Sequence, residues 1–193
     1  MSPPTAPPVL PVADPSRHRS SADLEVGLRA LAPVSPDAGR VALIVRRDAE
    51  HRRETPPQVR LDVNEGVPDD AWGRQTTRKP ESQLAVMRRD VAELIANGQP
   101  LTLFGDNLFV DLDLSKENLP AGSRLRVGEA VVEVTPMAHD GCSKFNARFG
   151  ADALRFVNAK PTRNQNLRGI YWRVIEPGEI KVGDSISVLS RGG

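Results

Sequence analysis

Hydrophobic residues near the start of the chain fall into a helical pattern. Leu24, Leu28 and Leu31 are three and four positions apart, so they lie on one face of a helix. Ser20 precedes this stripe and can accept a hydrogen bond from the first turn, while Pro33 follows the stripe and stops a helix. The sequence therefore predicts one short amphipathic helix between Ser20 and Pro33.

Two shorter hydrophobic patterns follow, and both are typical of strands. Val41–Val45 is a compact apolar run that is rich in β-branched residues. Farther along, Val59, Leu61 and Val63 alternate with polar residues, which is the period of a half-buried strand.

The longest helical pattern covers Glu81–Asn97. Leu84, Met87 and Val91 form one stripe, and Gly98 suits the position just after a helix C-terminus. We therefore expect a second helix over this range.

After residue 100 the pattern changes to short apolar runs that glycine-containing turns separate. We expect strands at Leu101–Phe104, Leu108–Val110, Ile170–Ile175 and Ile186–Leu189, and a hairpin over 125–134 that turns at Gly128-Glu129. Many short strands with glycine turns favour a closed barrel or a sandwich over alternating strands and helices. The predicted fold class is mainly β with a few helices (α+β).

Composition sets the limits on domains and location. The 193 residues predict one domain over 20–193, after a disordered proline-rich tail at 1–19. The sequence shows neither a secretory signal pattern nor an apolar run of membrane-spanning length, so we expect no membrane association. A single cysteine excludes an internal disulfide and a multi-cysteine zinc site, and it fits a cytoplasmic protein.

The candidate chemistry lies in the segment 136–150, which contains that cysteine, Cys142. Pro136 and Gly141 break the chain there, and Phe145 and Phe149 have the spacing of one helix face. Cys142 is therefore expected at a helix N-terminus, where backbone N–H groups favour a thiolate. His139 could add charge or act as a base. The residues alone leave two alternatives open, a reactive thiol and a buried, inert one.

Charge is concentrated in the same part of the chain. Residues 141–173 contain seven basic residues and one acid, a net charge of +6, whereas the whole chain carries +1. Such a segment attracts phosphate-bearing ligands, unless acids elsewhere in the fold pair with its charges. Nucleic acid is not the expected partner, because aromatic residues make up only 4% of the chain and do not alternate with the basic ones.

An ordered series of motifs resembles the MOSC domain, which is named for the C-terminal domain of molybdenum cofactor sulfurase. The series spans 105–189. It includes Gly105-Asp-Asn-Leu, His139-Asp-Gly-Cys-Ser-Lys-Phe, Arg148-Phe-Gly, Arg168-Gly-Ile and Lys181-Val-Gly-Asp. The stretch 20–104 is similar to the N-terminal part of small stand-alone bacterial MOSC proteins. This resemblance implies a β-barrel like the β-barrel domain of pyruvate kinase.

The resemblance also implies roles for particular residues. The family cysteine, proposed to carry sulfur as a persulfide, corresponds to Cys142, which is also a candidate molybdenum ligand; His139 would assist it. The remaining candidates would bind the anionic pterin of the molybdenum cofactor (molybdopterin): Lys144, Asn146, Arg148 and Arg168. Pyridoxal phosphate is not expected, because the chain is too short to contain the aminotransferase-like domain of the cofactor sulfurases.

Three functions stay open at this point. The first is a protein that binds molybdenum cofactor or carries sulfur on Cys142, with a cysteine desulfurase as a candidate sulfur donor. The second is a molybdenum-dependent reductase of N-hydroxylated compounds that receives electrons from a partner. The third is a non-catalytic module that binds anions.

Overall fold

The computed structural model describes residues 12–193, and seven of its strands form a closed barrel. Around the barrel the strand order is β1-β11-β7-β8-β9-β5-β6, and β6 pairs again with β1. Neighbouring strands are antiparallel except for β5 and β6, which run parallel. The barrel strands are β1 (Ala38–Ile44), β5 (Leu84–Arg88), β6 (Leu108–Val110), β7 (Arg124–Val127), β8 (Ala130–Val134), β9 (Ile170–Glu176) and β11 (Ser185–Ser190).

Smaller elements decorate this barrel. Two short antiparallel sheets pair β2 (Arg46–Arg47) with β3 (Arg53–Glu54), and β4 (Gln58–Leu61) with β10 (Gly178–Lys181). The α-helices are α1 (Ser21–Ala30), α2 (Arg89–Ala96) and α3 (Ser143–Val157).

Hydrophobic side chains form two cores, one inside the barrel and one between the barrel and the helices. Successive residues of β5 show the division, because Val86 belongs to the interior core and Met87 to the outer one. In the outer core the Phe104 ring stacks on Phe149, with ring centroids 4.2 Å apart, and also packs near Phe145. This outer core fixes the first half of α3 against the barrel.

Several sequence predictions are confirmed. Helix α1 begins after Ser20, whose hydroxyl accepts a hydrogen bond from the backbone N–H of Asp23. Strands β1, β6, β9 and β11 form at the predicted runs, and β7 and β8 form the predicted hairpin. The predicted fold class, an α+β barrel, is also confirmed.

The predicted helix over Glu81–Asn97 is wrong in its first half. Leu84–Arg88 is a barrel strand, and only Arg89–Ala96 is helical. Residues Leu84 to Met87 are all buried, because β5 lies between two strands, faces the barrel interior and is covered outside by helices. A strand that is buried on both faces shows no polar alternation, so its apolar run merged with the helical stripe that follows.

Two other strand predictions need correction. Leu101–Leu103 forms a 3-10 turn after Pro100, and the Phe104 ring enters the outer core, so no strand forms over Leu101–Phe104. Strand β4 ends at Leu61, and Val63 lies on an exposed turn. Sequence analysis also missed a strand, β10, which begins at Gly178.

The predicted tail at 1–19 falls partly outside the described residues, which begin at 12. Residues 12–19 contact the body of the protein in the structure. The backbone N–H of Asp14 donates to the side chain of Gln99 at 2.8 Å, and the His18 ring is 3.1 Å from the carbonyl oxygen of Arg148. This segment therefore packs beside α3.

Candidate functional site

Cys142 occupies the N-cap position of α3, as the sequence predicted, and its side chain is exposed. Partial burial raises the pKa of the thiol. The backbone N–H groups of Phe145 and Lys144 and the charges of Arg168 and Lys144 outweigh burial, so the pKa is lower than the ordinary value. Cys142 is therefore not the buried, inert thiol that the sequence had left open as an alternative. The geometry is that of a thiol that ionises easily in contact with solvent.

A buried ion pair lies behind the first turn of α3. One nitrogen of Arg168, Nη1, donates to both carboxylate oxygens of Asp106 at 2.9 and 2.7 Å, and both side chains are almost completely buried. The Arg168 guanidinium carbon is 5.2 Å from the centroid of the Phe145 ring. The pair thus connects the loop before β6 to the helix that carries the cysteine.

Gly169 explains how Arg168 reaches this position. Its backbone has φ +101°, and a Cβ there would lie 2.1 Å from the carbonyl oxygen of Val86 in β5. Only glycine combines this backbone conformation with so close an approach to a neighbouring strand. The Arg168-Gly169 step therefore lets the chain enter β9 while the arginine points to Asp106.

His139 is buried beside this pair and is neutral at pH 7. Burial, followed by the charges of Arg168 and Arg47, lowers its pKa well below the usual value. The ring packs on Tyr171 with centroids 4.3 Å apart, and Nδ1 lies 3.7 Å from Asp106, beyond hydrogen-bond distance. A neutral ring adds no positive charge to Cys142, contrary to one of the two expectations for it. A role as base stays a prediction.

Two further arginines belong to the site, and sequence analysis missed them. Arg47 and Arg53 face each other across the β2–β3 pair, in a stretch that showed only a high density of charge. The charges of Arg47, Arg148 and Arg168 act on one another and on their neighbours, as the pKa shifts of Arg148 and His139 show. We call Arg47, Arg53, Arg148 and Arg168 the arginine cluster.

The arginine cluster has more positive charge than its carboxylates neutralise. Arg47 pairs with the buried Asp70, as Arg168 does with Asp106. Arg53 is 93% buried, yet within the described part of the chain it donates only to the backbone oxygens of Thr102 and His51. Burial and the charges of Arg47 and Arg148 lower the pKa of Arg53 to about 10.

Arg148 is the second cation of the cluster without a carboxylate partner among residues 12–193. Its Nη1 donates to the backbone oxygen of Leu103 at 2.8 Å. Burial lowers its pKa and the Cys142 thiolate opposes that change, so the two side chains share one electrostatic environment. The cluster therefore has two guanidinium charges without a carboxylate partner among the described residues, and the charge of Arg148 acts on the thiol.

The other predicted site residues divide into two groups. Lys144 and Arg168 both act on the pKa of Cys142, whereas Asn146 is exposed in the first turn of α3, where its backbone N–H bonds to the Cys142 carbonyl. Other cations of the basic segment are paired with carboxylates in three ion pairs: Arg155 with Asp152, Arg163 with Asp140 and Arg173 with Glu133. The basic segment thus has less unpaired positive charge than its sequence suggested.

The donor set does not form a metal cage. Within residues 12–193, no three His, Cys, Asp or Glu side chains come together as metal ligands. One soft thiolate beside arginines suits a metal that is carried by a larger anionic group. The thiolate would then be the protein's ligand to that metal.

Comparison with known proteins identifies the family. The family model of the MOSC domain matches residues 74–187, more than half of the chain. This chain belongs to the MOSC domain family. The match includes Cys142, the Arg168-Gly169 step and Asp106, and it begins upstream of the motif series at 105–189. At the level of the family, the MOSC domain is associated with molybdenum cofactor and with sulfur chemistry.

Individual relatives of this MOSC chain support the assignment of the fold. The uncharacterized protein YflK of Bacillus subtilis is 34% identical over 89 residues, which are 46% of this chain and 38% of YflK. Crystal structures of YuaD from Bacillus subtilis (TM-score 0.57, 19% identity) and YiiM from Escherichia coli (TM-score 0.53, 23% identity) each match 80% of this chain. They are matched over 97% and 71% of their own lengths. In the described part of the chain, no helix is both long and apolar enough to cross a membrane.

Proposed function

We propose that this MOSC protein binds molybdenum cofactor, or carries sulfur for a metal–sulfur centre, through the thiolate of Cys142. The observation that supports this most strongly is an exposed thiol of lowered pKa at the N-terminus of α3, close enough to Arg148 for their charges to interact, and Arg148 has no carboxylate partner among residues 12–193. A thiolate is the form of cysteine that accepts sulfur or ligates a soft metal. We place this chemistry in the cytoplasm, where a single free cysteine stays reduced.

The residues present fit such a cofactor. Cys142 would face the metal, and Lys144, Arg148 and Arg168 would bind the anionic pterin side. Among the described residues, Arg53 adds a buried guanidinium without a carboxylate partner, and the Nε atom of Arg168 is buried without a hydrogen-bond partner. An unsatisfied buried donor such as Arg168 Nε is costly unless a ligand accepts from it. When bound, the cofactor would supply the oxidation–reduction chemistry that the side chains lack.

The direct experiment measures what Cys142 holds. Wild-type protein, Cys142→Ala and the control Ser143→Ala are purified from a host that makes molybdenum cofactor. Bound molybdenum is measured by mass spectrometry of the metal, and persulfide by alkylation and peptide mapping. We expect molybdenum or persulfide in the wild type and in Ser143→Ala, and a loss of at least tenfold in Cys142→Ala. Equal metal content in all three proteins, with no persulfide on Cys142, would exclude the proposal.

A second candidate function is reduction of N-hydroxylated compounds with electrons from a partner reductase. It is favoured by His139, a neutral, buried ring that can hold or release a proton beside the site. Turnover of a hydroxylamine by the loaded protein and a reductase partner would separate this function from simple carriage. Sulfur carriage instead requires a donor, for which a cysteine desulfurase is the candidate partner.

A further inference from the structure

A separate cavity of about 200 Å³ lies against His139. Its walls come from the segment 134–139 and from five residues that follow α3, with further contributions from Lys116, Leu119 and Ala121. The five residues are Arg163, Asn164, Asn166, Gly169 and Ile170. Cys142 and the arginine cluster do not line it. The cavity is therefore distinct from the anion site described above, although His139 borders both.

The charge of the cavity is positive. Its lining contains Lys116 and Arg163 but no carboxylate. Arg163 is partly neutralised by Asp140 at 3.2 Å, and both side chains are about half exposed. No carboxylate within the described residues lies in ion-pairing distance of Lys116. A molecule with one negative charge would be attracted to this cavity.

The remaining walls are mostly apolar. Val134, Met137 and Ile170 supply hydrophobic surface, and Asn164 and Asn166 supply amide groups. A cavity of about 150 Å³ is known to hold a benzene molecule. The present volume therefore has room for a single ring that carries one small charged group.

His139 joins this cavity to the site of Cys142. More than nine-tenths of its side chain is buried, and its Nδ1 atom has no hydrogen-bond partner among residues 12–193. The ring packs on Tyr171, whose hydroxyl is close enough to Arg168 and Cys142 for their charges to act on it. A molecule in the cavity would thus touch the same imidazole that lies beside the Asp106–Arg168 pair.

We propose that this cavity binds a small monoanion with an apolar body, such as a ring carboxylate, and presents it to His139. The anionic group lies between Lys116 and Arg163, and the ring lies against Met137 and Ile170. That this molecule is also the substrate of the Cys142 site is an inference that rests on the proposed function. The binding of the anion itself does not.

The test uses benzoate and its neutral analogue benzamide as probes. Binding to the metal-free protein is followed by calorimetry and by the NMR signals of the His139 ring. We expect benzoate to bind with a Kd at least fivefold lower than that of benzamide, and to shift the His139 signals more than those of His18 and His51. Equal affinity for the two probes, or no binding of either at millimolar concentration, would overturn the proposal.

Variants locate the binding in the cavity. Lys116→Gln combined with Arg163→Gln is expected to raise the Kd of benzoate about tenfold, since two partly exposed ion pairs are lost. Lys160→Gln removes a nearby charge that does not line the cavity and should leave the Kd unchanged. Ala138→Phe fills the cavity from an exposed position and should abolish binding. Unchanged binding in Ala138→Phe would place benzoate elsewhere and contradict the proposal.

Cys142→Ala separates the two proposals. Benzoate binding should be unaffected by this substitution, since Cys142 does not line the cavity. If the wild type holds neither molybdenum nor persulfide but still binds benzoate at His139, the proposed function fails and the cavity assignment stands. The reverse result, a loaded Cys142 without benzoate binding, overturns only the cavity assignment.

Discussion

At the residue scale, Arg53 is the side chain whose buried charge a bound anion would stabilise most. Its pKa is lowered to about 10, because burial and two neighbouring arginines disfavour the charged form. Below that pH the guanidinium is charged in both the folded and the unfolded chain, so the folded state carries the cost of burying it. That cost is relieved only as the pH rises above about 10, toward the higher pKa of an arginine in the unfolded chain. At neutral pH, an anion in the arginine cluster would offset it.

We therefore expect Arg53→Met to remove most of the extra stability that sulfate gives over chloride at equal ionic strength. A dianion that binds only the folded state at ten times its Kd adds about 1.4 kcal/mol to the free energy of unfolding. For a chain of this length that corresponds to a rise in Tm of about 3–6 °C. Thermal unfolding in the two salts measures the difference.

Arg173→Met is the matched control, because Arg173 is half exposed and already paired with Glu133. It should keep the full sulfate effect, including the part that comes from exclusion of sulfate from protein surfaces. An equal sulfate effect in the two variants would show that Arg53 does not contribute to an anion site.

At the scale of elements, Gly169 at the entry to β9 allows β9 to approach β5 closely while Arg168 points to Asp106. A side chain there has to overcome both an unfavourable φ and a collision with the backbone of β5. Gly183 has a similar φ of +94°, but no atom lies within 4 Å of the position that its Cβ would take. The two glycines therefore separate the effect of backbone strain from that of the collision.

Gly169→Ala is expected to lower the free energy of unfolding by about 3 kcal/mol or more, and Gly183→Ala by about 1–2 kcal/mol. Urea unfolding, followed by tryptophan fluorescence because the buried Trp172 lies in the barrel interior, measures both. Similar losses in the two variants would mean that the approach of Gly169 to Val86 relaxes at little cost.

The same scale shows why some elements could be predicted and others could not. Strand β7 alternates between exposed and buried residues and leads into a glycine turn, so local sequence specified the hairpin that it forms with β8. Strand β5 is buried along four successive residues, and its apolar run has the same appearance as the start of an amphipathic helix. Strand β10 exists because its backbone pairs with β4, 120 residues earlier, and no local pattern records such a pairing.

At the scale of the whole molecule, the barrel brings together residues that are far apart in the chain. Cys142, Arg148 and Arg168 could be predicted, because they lie in one basic segment with recognisable motifs. Asp106 neutralises Arg168 from 62 residues away, and Arg53 arrives on a separate two-stranded sheet. Long-range packing decides which charges of the basic segment stay available, so their number could not be read from sequence.

The measurement that tests the central claim most directly is the pH dependence of alkylation of Cys142. Cys142 is the only cysteine of the chain, so iodoacetamide reports on a single thiol in the native protein. The reaction rate follows the thiolate fraction, and the backbone N–H groups and nearby cations lower the pKa. We predict a half-maximal rate at a pH below the ordinary pKa of a cysteine thiol, measured on the same protein unfolded in urea, in His139→Gln as well as in the wild type, because the ring is neutral. A midpoint at or above that value in the wild type, or a thiol that iodoacetamide does not reach without denaturant, would contradict the account.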